Sequence, residues 1–335
     1  MRRCLFTLLA FVVLFALPAL ASEPKINGIS FVASRDKTEQ EHIAPLVNTY
    51  ANYAAVMPYG YVPSNESPTV IFNSDRQWYG ERIVGVKDVI KQLKSNKIKT
   101  MLKPHLWLRG GVYTRHLGFQ SEQQWQAFEQ AYSHFIMTYA KVAEDEKVDI
   151  FCIGTELETF VKQRPKYWRA LISKIKHVYS GKLTYAANWD EYTHVPFWTQ
   201  LDYIGVDGYF PLSDAHTPSI DNIVQAWEKW KPELADTAQG FKRPILFTEW
   251  GFRSVDHTAK APWDHSKKLS APNLAGQASA IEGTLISLWS EPWFAGGFIW
   301  KWFTYHDKAG GELDNRFTPQ NKPSERVLRA FFAPQ

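Results

Sequence analysis

The sequence predicts an α/β fold, a single (β/α)8 barrel, and three observations carry that expectation. Eight short runs rich in β-branched and aromatic residues recur along 335 residues. The segments between them are long, and most carry helical periodicity, which is the signature of parallel β-α units. Connections that enter the runs are short, and those that leave are long and polar-aromatic, as in a barrel with its site on one face.

The eight runs are 27–34, 53–60, 98–105, 149–156, 183–189, 202–210, 244–251 and 296–302. Between them, helices are expected near 37–51, 82–96, 122–145, 165–179, 220–237, 274–290 and 323–332. The clearest is 122–145, where Trp125, Phe128, Tyr132, Phe135 and Tyr139 recur at helical spacing behind a Ser121–Gln124 capping-box start. Pro165 and Pro323 stand where a first-turn proline is tolerated. Segments 181–182, 240–243 and 292–295 enter runs; 61–81, 106–121, 253–273 and 303–322 leave them. An open doubly wound sheet is the competing topology. It lacks support because Arg35-Asp36-Lys37, not a glycine-rich phosphate turn, follows the first run.

Residues 1–21 read as a secretory signal peptide: Met1-Arg2-Arg3, an apolar run from Cys4 to about Leu20, then Ala19-Leu20-Ala21. An uncleaved anchor is the alternative. The barrel domain would occupy 22–335, exported to the periplasm or the medium, with no membrane association after cleavage. Removal of Arg2 and Arg3 from the 38 basic residues leaves 36 against 34 acidic ones, so a nucleic-acid partner is not expected. Cys152 alone would remain of the two cysteines, which rules out an intramolecular disulfide. The 14 tryptophans are several-fold more than usual, and aromatic rings offer flat faces to sugars as well as core packing. No His-Glu-x-x-His pair or Cys/His cluster occurs, so neither a metal nor a cofactor is expected, and the chain is expected to act as a monomer.

The chemistry lies at two run ends. The fourth reads Phe151-Cys152-Ile153-Gly154-Thr155-Glu156-Leu157-Glu158, and the seventh reads Ile245-Leu246-Phe247-Thr248-Glu249-Trp250-Gly251-Phe252. A carboxylate ending a buried run is costly unless it is paired or functional. The fourth and seventh strands of a barrel face each other across its mouth, and cleavage of a glycosidic bond needs two flanking carboxyl groups. Glu158 competes with Glu156, since residues two apart on a strand share a face. Glu156 is preferred because it ends the strand proper.

These motifs resemble those of clan A glycoside hydrolases. Together with Asp202-Tyr203-Ile204-Gly205-Val206-Asp207-Gly208-Tyr209-Phe210-Pro211-Leu212, they look most like glycoside hydrolase family 113, over residues 25–333. The resemblance implies a β-linked oligo- or polysaccharide substrate, most often β-1,4-mannan. It also implies Glu156 as general acid/base, Glu249 as nucleophile, and retention of configuration by double displacement. One departure is that Thr155 stands where much of the clan has Asn, so the contact to the sugar's second hydroxyl falls to Thr155 or to Asn188.

Position nominates the remaining site residues. Tyr209 ends the sixth run beside Glu249. Lys103 and His105 lie beside Glu156 on the third, as candidates to bind a hydroxyl or tune the acid. Trp300 and Trp302 end the eighth, one of them as a floor under the cleaved sugar. Trp107, Trp189 and Trp250 are further platforms, and Asp207 is a candidate hydroxyl ligand. Two rival functions remain: a retaining β-glycosidase acting on another β-glycan, and a barrel that binds saccharide without cleaving it.

Overall fold

The computed structural model describes residues 24–265 and 270–334. The proposed signal segment, 1–21, lies outside the described residues. Eight parallel strands close into a barrel in sequence order: β1 (Ile26–Phe31), β2 (Tyr53–Val56), β3 (Lys99–Leu102), β4 (Ile150–Thr155), β5 (Lys182–Asn188), β6 (Ile204–Asp207), β7 (Ile245–Trp250) and β8 (Phe294–Trp302), which pairs back onto β1. The open-sheet alternative is thereby excluded. The helices are α1 (Gln40–Val47), α2 (Ile83–Ser95), α3 (Glu122–Asp145), α4 (Glu158–Gln163), α5 (Pro165–Lys176), α6 (Ile220–Phe241), α7 (Leu274–Leu288) and α8 (Pro323–Phe332). Between β5 and β6 only two single 3-10 turns occur, Tyr192–His194 and Trp198–Gln200. Among the described residues, no helix is long and apolar enough to cross a membrane.

Local signals account for the helix ends. The Ser121 hydroxyl accepts from the Gln124 backbone N–H at 3.2 Å, which satisfies one of the orphan donors of α3. At α6 the Ser219–Asn222 pair forms a reciprocal capping box. Pro165 and Pro323 open α5 and α8, where no intrahelical donor is lost.

Two cores lie on either side of the strands. Ile26, Ala55, Met101, Ile150, Cys152, Ala186, Leu246 and Phe298 fill the barrel interior. A larger aromatic layer, including Phe128, Tyr132, Phe160, Trp168, Tyr185 and Phe197, fills the space between barrel and helices.

The expected second and third strands, 53–60 and 98–105, are each interrupted at a proline. Pro58 and Pro104 have no N–H to give the ladder, so β2 and β3 stop before them. The chain resumes as a separate parallel pair, Tyr59–Val62 with His105–Leu108, standing above the barrel mouth. This raised ribbon carries Tyr59, His105 and Trp107 into the site.

The ends of β4 and β7 depart from simple alternation in ways that aim the two glutamates. On β7 the register jumps from Val206↔Phe247 to Asp207↔Glu249, so Thr248 and Glu249 together oppose one residue of β6. Such a bulge re-aims a side chain. On β4 the register shifts between Cys152 and Thr155, and Gly154 lies flat against the outer aromatic layer. A Cβ at Gly154 would stand 2.8 Å from the Trp168 ring and the Tyr132 hydroxyl. Gly154→Ala is therefore expected to lower stability by about 1–3 kcal/mol through overpacking. Urea denaturation checks this; an unchanged midpoint would contradict the close packing of β4.

Candidate active site

The strand ends build one cavity of about 800 Å³ at the mouth of the barrel. Glu156 and Glu249 both line it, together with His105, Trp107, Thr155, Asn188, Trp189, Tyr209 and Trp300. At the end of β4 the backbone of Glu156 turns into the left-handed region, with φ of 53°. For a residue with a Cβ that conformation costs about 1 kcal/mol or more, and it persists because neighbours hold it. The Glu156 N–H donates to the Ala186 carbonyl at 2.8 Å, and the next N–H, of Leu157, donates to the Tyr185 hydroxyl at 2.8 Å. The turn also resolves the competition with Glu158. That residue opens α4 and pairs with Arg115 at 2.6 Å and with Lys162, away from the cavity lining.

Glu249 sits in a different environment. Lys103 Nζ lies 2.7 Å from its Oε1, the Tyr209 hydroxyl donates to its Oε2 at 2.9 Å, and His105 Nε2 lies 3.6 Å from Oε1. The same ammonium reaches Asp207 Oδ1 at 3.0 Å, and the Thr248 hydroxyl also donates to that oxygen, at 2.8 Å. Lys103, Asp207 and Thr248 are completely buried. Burial lowers the affinity of Lys103 for its proton, but Asp207 and Glu249 outweigh it and hold the ammonium charged. Burial likewise works to raise Glu249, yet Lys103, His105 and the Tyr209 hydrogen bond bring it below the ordinary carboxylate value. Burial, then the charge of Lys103, pushes His105 down to about 3, so its ring is neutral at physiological pH.

Glu156 is shifted the other way. Burial raises its carboxyl well above the usual range, and the negative charges of Asp207 and Glu249 raise it further. Tyr113 opposes the shift with a hydrogen bond to the carboxyl, and the Asn188 amide in turn donates to the Tyr113 hydroxyl at 2.5 Å. The site thus shifts one carboxyl group toward its protonated form and the other toward its ionised form across a shared cavity, which is the division of labour that acid-assisted displacement requires.

Four nominated residues do not reach the cavity. Lys103 and Asp207 lie beneath it and touch Glu249 and each other, not the space a ligand would occupy. Trp250 follows the bulge and points outward, packing 5.5 Å from the Trp289 ring. Trp302 is fully buried, while Trp300, two residues earlier, lines the cavity with its ring stacked near His105. The cavity also contains residues that sequence reasoning passed over: Tyr59, Tyr113, Arg115, Asp190, Trp263 and Lys301 among them. Tyr113, Arg115 and Trp263 lie in the long exit segments, whose richness in aromatic and charged residues was the available signal. Trp263 stacks on Trp189 at 5.2 Å, forming an aromatic wall on the β5–β7 side. Among the described residues no group of His, Cys, Asp and Glu could hold a metal ion.

Removing Lys103 leaves Asp207 and Glu249 as buried, uncompensated charges. Lys103→Met is expected to cost about 3–5 kcal/mol of stability. Adding Asp207→Asn removes one of those charges and is expected to recover part of the loss. Chemical denaturation of the two variants checks both; a neutral Lys103→Met would contradict the buried ion cluster.

A model of Glycoside Hydrolase Family 113 matches residues 32–322. No curated protein matches the chain. Among solved structures, a GH113 β-mannanase from Alicyclobacillus acidocaldarius, in complex with ManMIm, superposes with a TM-score of 0.81 at 24% identity, covering 92% of this chain and 98% of that one. A second GH113 β-1,4-mannanase, solved as a complex, superposes with a TM-score of 0.80 at 23% identity, covering 92% and 99%. A β-glucuronidase from Ruminococcus gnavus shares the barrel alone, with a TM-score of 0.60 at 14% identity over 92% of this chain and 50% of that one. With its closed barrel and a family match spanning nearly all of it, the chain belongs to glycoside hydrolase family 113 and is a glycoside hydrolase.

Proposed function

We propose that the protein is an exported retaining β-glycan hydrolase acting on β-1,4-linked mannan, with Glu249 as nucleophile and Glu156 as acid/base. The observation that carries this reading is the opposite tuning of the two carboxyls lining one cavity: Glu156 shifted up by burial and like charge, Glu249 shifted down by Lys103 and Tyr209. The mannan assignment is supported by the solved structures that share the fold over 92% of the chain, which are β-mannanases.

In the first step Glu249 attacks the anomeric carbon, and Glu156 gives its proton to the departing glycosidic oxygen. Esterification removes the Glu249 charge, so the Glu156 carboxyl loses a neighbour that had been raising it. It is then better ionised to take a proton from the water that releases the sugar. Lys103 and Tyr209 hold Glu249 aimed and charged. Asn188 acts on Glu156 through Tyr113 and, with Thr155 beside it on the cavity wall, is placed to meet the sugar's second hydroxyl. Trp300 supplies the flat face under the cleaved unit, and Trp189 with Trp263 supplies a platform beyond the acid for the leaving sugars.

The test is a panel of β-linked manno-, gluco-, xylo- and galacto-oligosaccharides, with products resolved by size and their first-formed anomer read by NMR. β-Products from the manno-series alone are expected. α-Products would overturn double displacement, and cleavage of another series would replace mannan as substrate. Glu156→Gln is expected to lose about 10²- to 10⁴-fold in rate on natural linkages. Most of that loss should return on aryl glycosides whose leaving group needs no proton. The plot of kcat/KM against pH should be bell-shaped. Its acid limb should lie below the ordinary carboxylate range, where Glu249 gains a proton. Its alkaline limb should lie well above that range, where Glu156 loses one. An alkaline limb near the ordinary value would contradict Glu156 as the acid.

A further inference from the structure

A second cavity, of about 730 Å³, adjoins the first and shares Tyr59, Trp107 and Lys301 with it. It is built from the segments leaving β1, β2, β3 and β8, across the barrel mouth from the β4–β5 side where Glu156, Arg115 and Asn188 stand. In the reaction proposed above the leaving sugars pass Glu156, so this second cavity lies on the side of the sugars retained by Glu249.

Its charge is unlike that of its neighbour. Four carboxyl groups, Glu156, Asp190, Glu249 and Asp264, line the first cavity against two cations, Arg115 and Lys301. The second is lined by Arg35, Lys301, Lys308 and Arg316, with Glu81 as its one carboxyl. Glu81 is almost fully buried, and both its oxygens accept from the Tyr61 hydroxyl, at 3.1 and 3.0 Å. Arg316 is neutralised by Asp314 at 2.6 Å. The nearby Asp36 accepts from the Tyr305 hydroxyl at 3.2 Å. Among the described residues, Arg35, Lys301 and Lys308 have no carboxylate within ion-pair distance. Each instead lies over an aromatic ring: Arg35 over Trp78 at 5.9 Å, Lys301 over Trp300 at 5.0 Å, and Lys308 over Tyr305 at 5.2 Å. Rings so placed pre-position the cations without cancelling their charge. The exposed faces of Trp78 and Trp107 offer apolar contact for a sugar ring in the same space.

We propose that this second cavity is a subsite for an acidic sugar, a uronate linked on the non-reducing side of the unit that Glu249 attacks. A neutral glycan would use the aromatic faces and leave Arg35 and Lys308 without partners, whereas Lys301 already feels the charge of Glu249. A uronate uses both, and the carboxylates of the first cavity disfavour it there. The inference rests on the hydrolase reading for its direction along the glycan, but not for the binding itself.

The experiment therefore measures binding and cleavage separately. Glu249→Ala protein is titrated calorimetrically with β-1,4-mannopentaose and with the matched pentaose whose non-reducing-end sugar is a uronate. The kcat/KM ratio for the same pair is measured on the unaltered enzyme. The acidic pentaose is expected to bind about tenfold more tightly, the sum of a few partly exposed charge contacts. That advantage should vanish in 1 M salt, where the Debye length is about 3 Å, and in the Arg35→Gln/Lys308→Gln protein. Equal dissociation constants, or an advantage that survives both treatments, would overturn the subsite. An acidic preference in binding without cleavage of either pentaose would support the subsite and remove the β-1,4-mannan reading instead.

Discussion

The site is organised around one buried ammonium. Lys103 emerges from the break between β3 and the raised ribbon, and bridges Asp207 on β6 and Glu249 on β7 from inside the barrel. Three strands that are far apart in sequence are thereby tied at the height where the cavity begins. A buried cation is costly unless its partners are close and well aligned, and here two carboxylates and a backbone carbonyl meet it. The arrangement orients Glu249 and keeps it ionised. It also places negative charge where Glu156 feels it, so one cluster tunes both carboxyls in opposite directions.

The backbone serves the same end by three local irregularities. The bulge in β7 turns two consecutive side chains, Thr248 and Glu249, toward Asp207 and the cavity. The left-handed turn at Glu156 separates it from Glu158, which leaves to join Arg115. The prolines that interrupt β2 and β3 lift Tyr59, His105 and Trp107 above the barrel. Each of these three deviations from ideal strand geometry coincides with a side chain of the site, as expected where local rules yield to function.

The tryptophans divide by the face of the strand or loop that carries them. Trp168, Trp198, Trp227, Trp250 and Trp302 are fully buried between barrel and helices and stabilise the fold. Trp107, Trp189, Trp263 and Trp300 line the cavity that holds the two glutamates, and Trp78 with Trp107 lines its neighbour. Residue type alone does not separate these groups. Trp300 and Trp302 lie two apart on one strand and would share a face in regular alternation, yet only the first lines the cavity.

The barrel was legible in the amino-acid sequence because it depends on periodicity. Eight β-rich runs, helical spacing such as that from Trp125 to Tyr139, and short entries with long exits are local patterns, and local patterns survive in one dimension. The two strand-ending glutamates were legible for a related reason: a carboxylate in a buried run violates that pattern. The environment of each glutamate was decided only in three dimensions. The Lys103 contacts span 104 and 146 residues, and Tyr209 approaches Glu249 from 40 residues away. The fates of Trp250, Trp302 and Glu158 turned on a bulge, on burial between strand and helix, and on one left-handed residue. Such features arise from the packing of neighbouring strands, so residue spacing alone could not supply them.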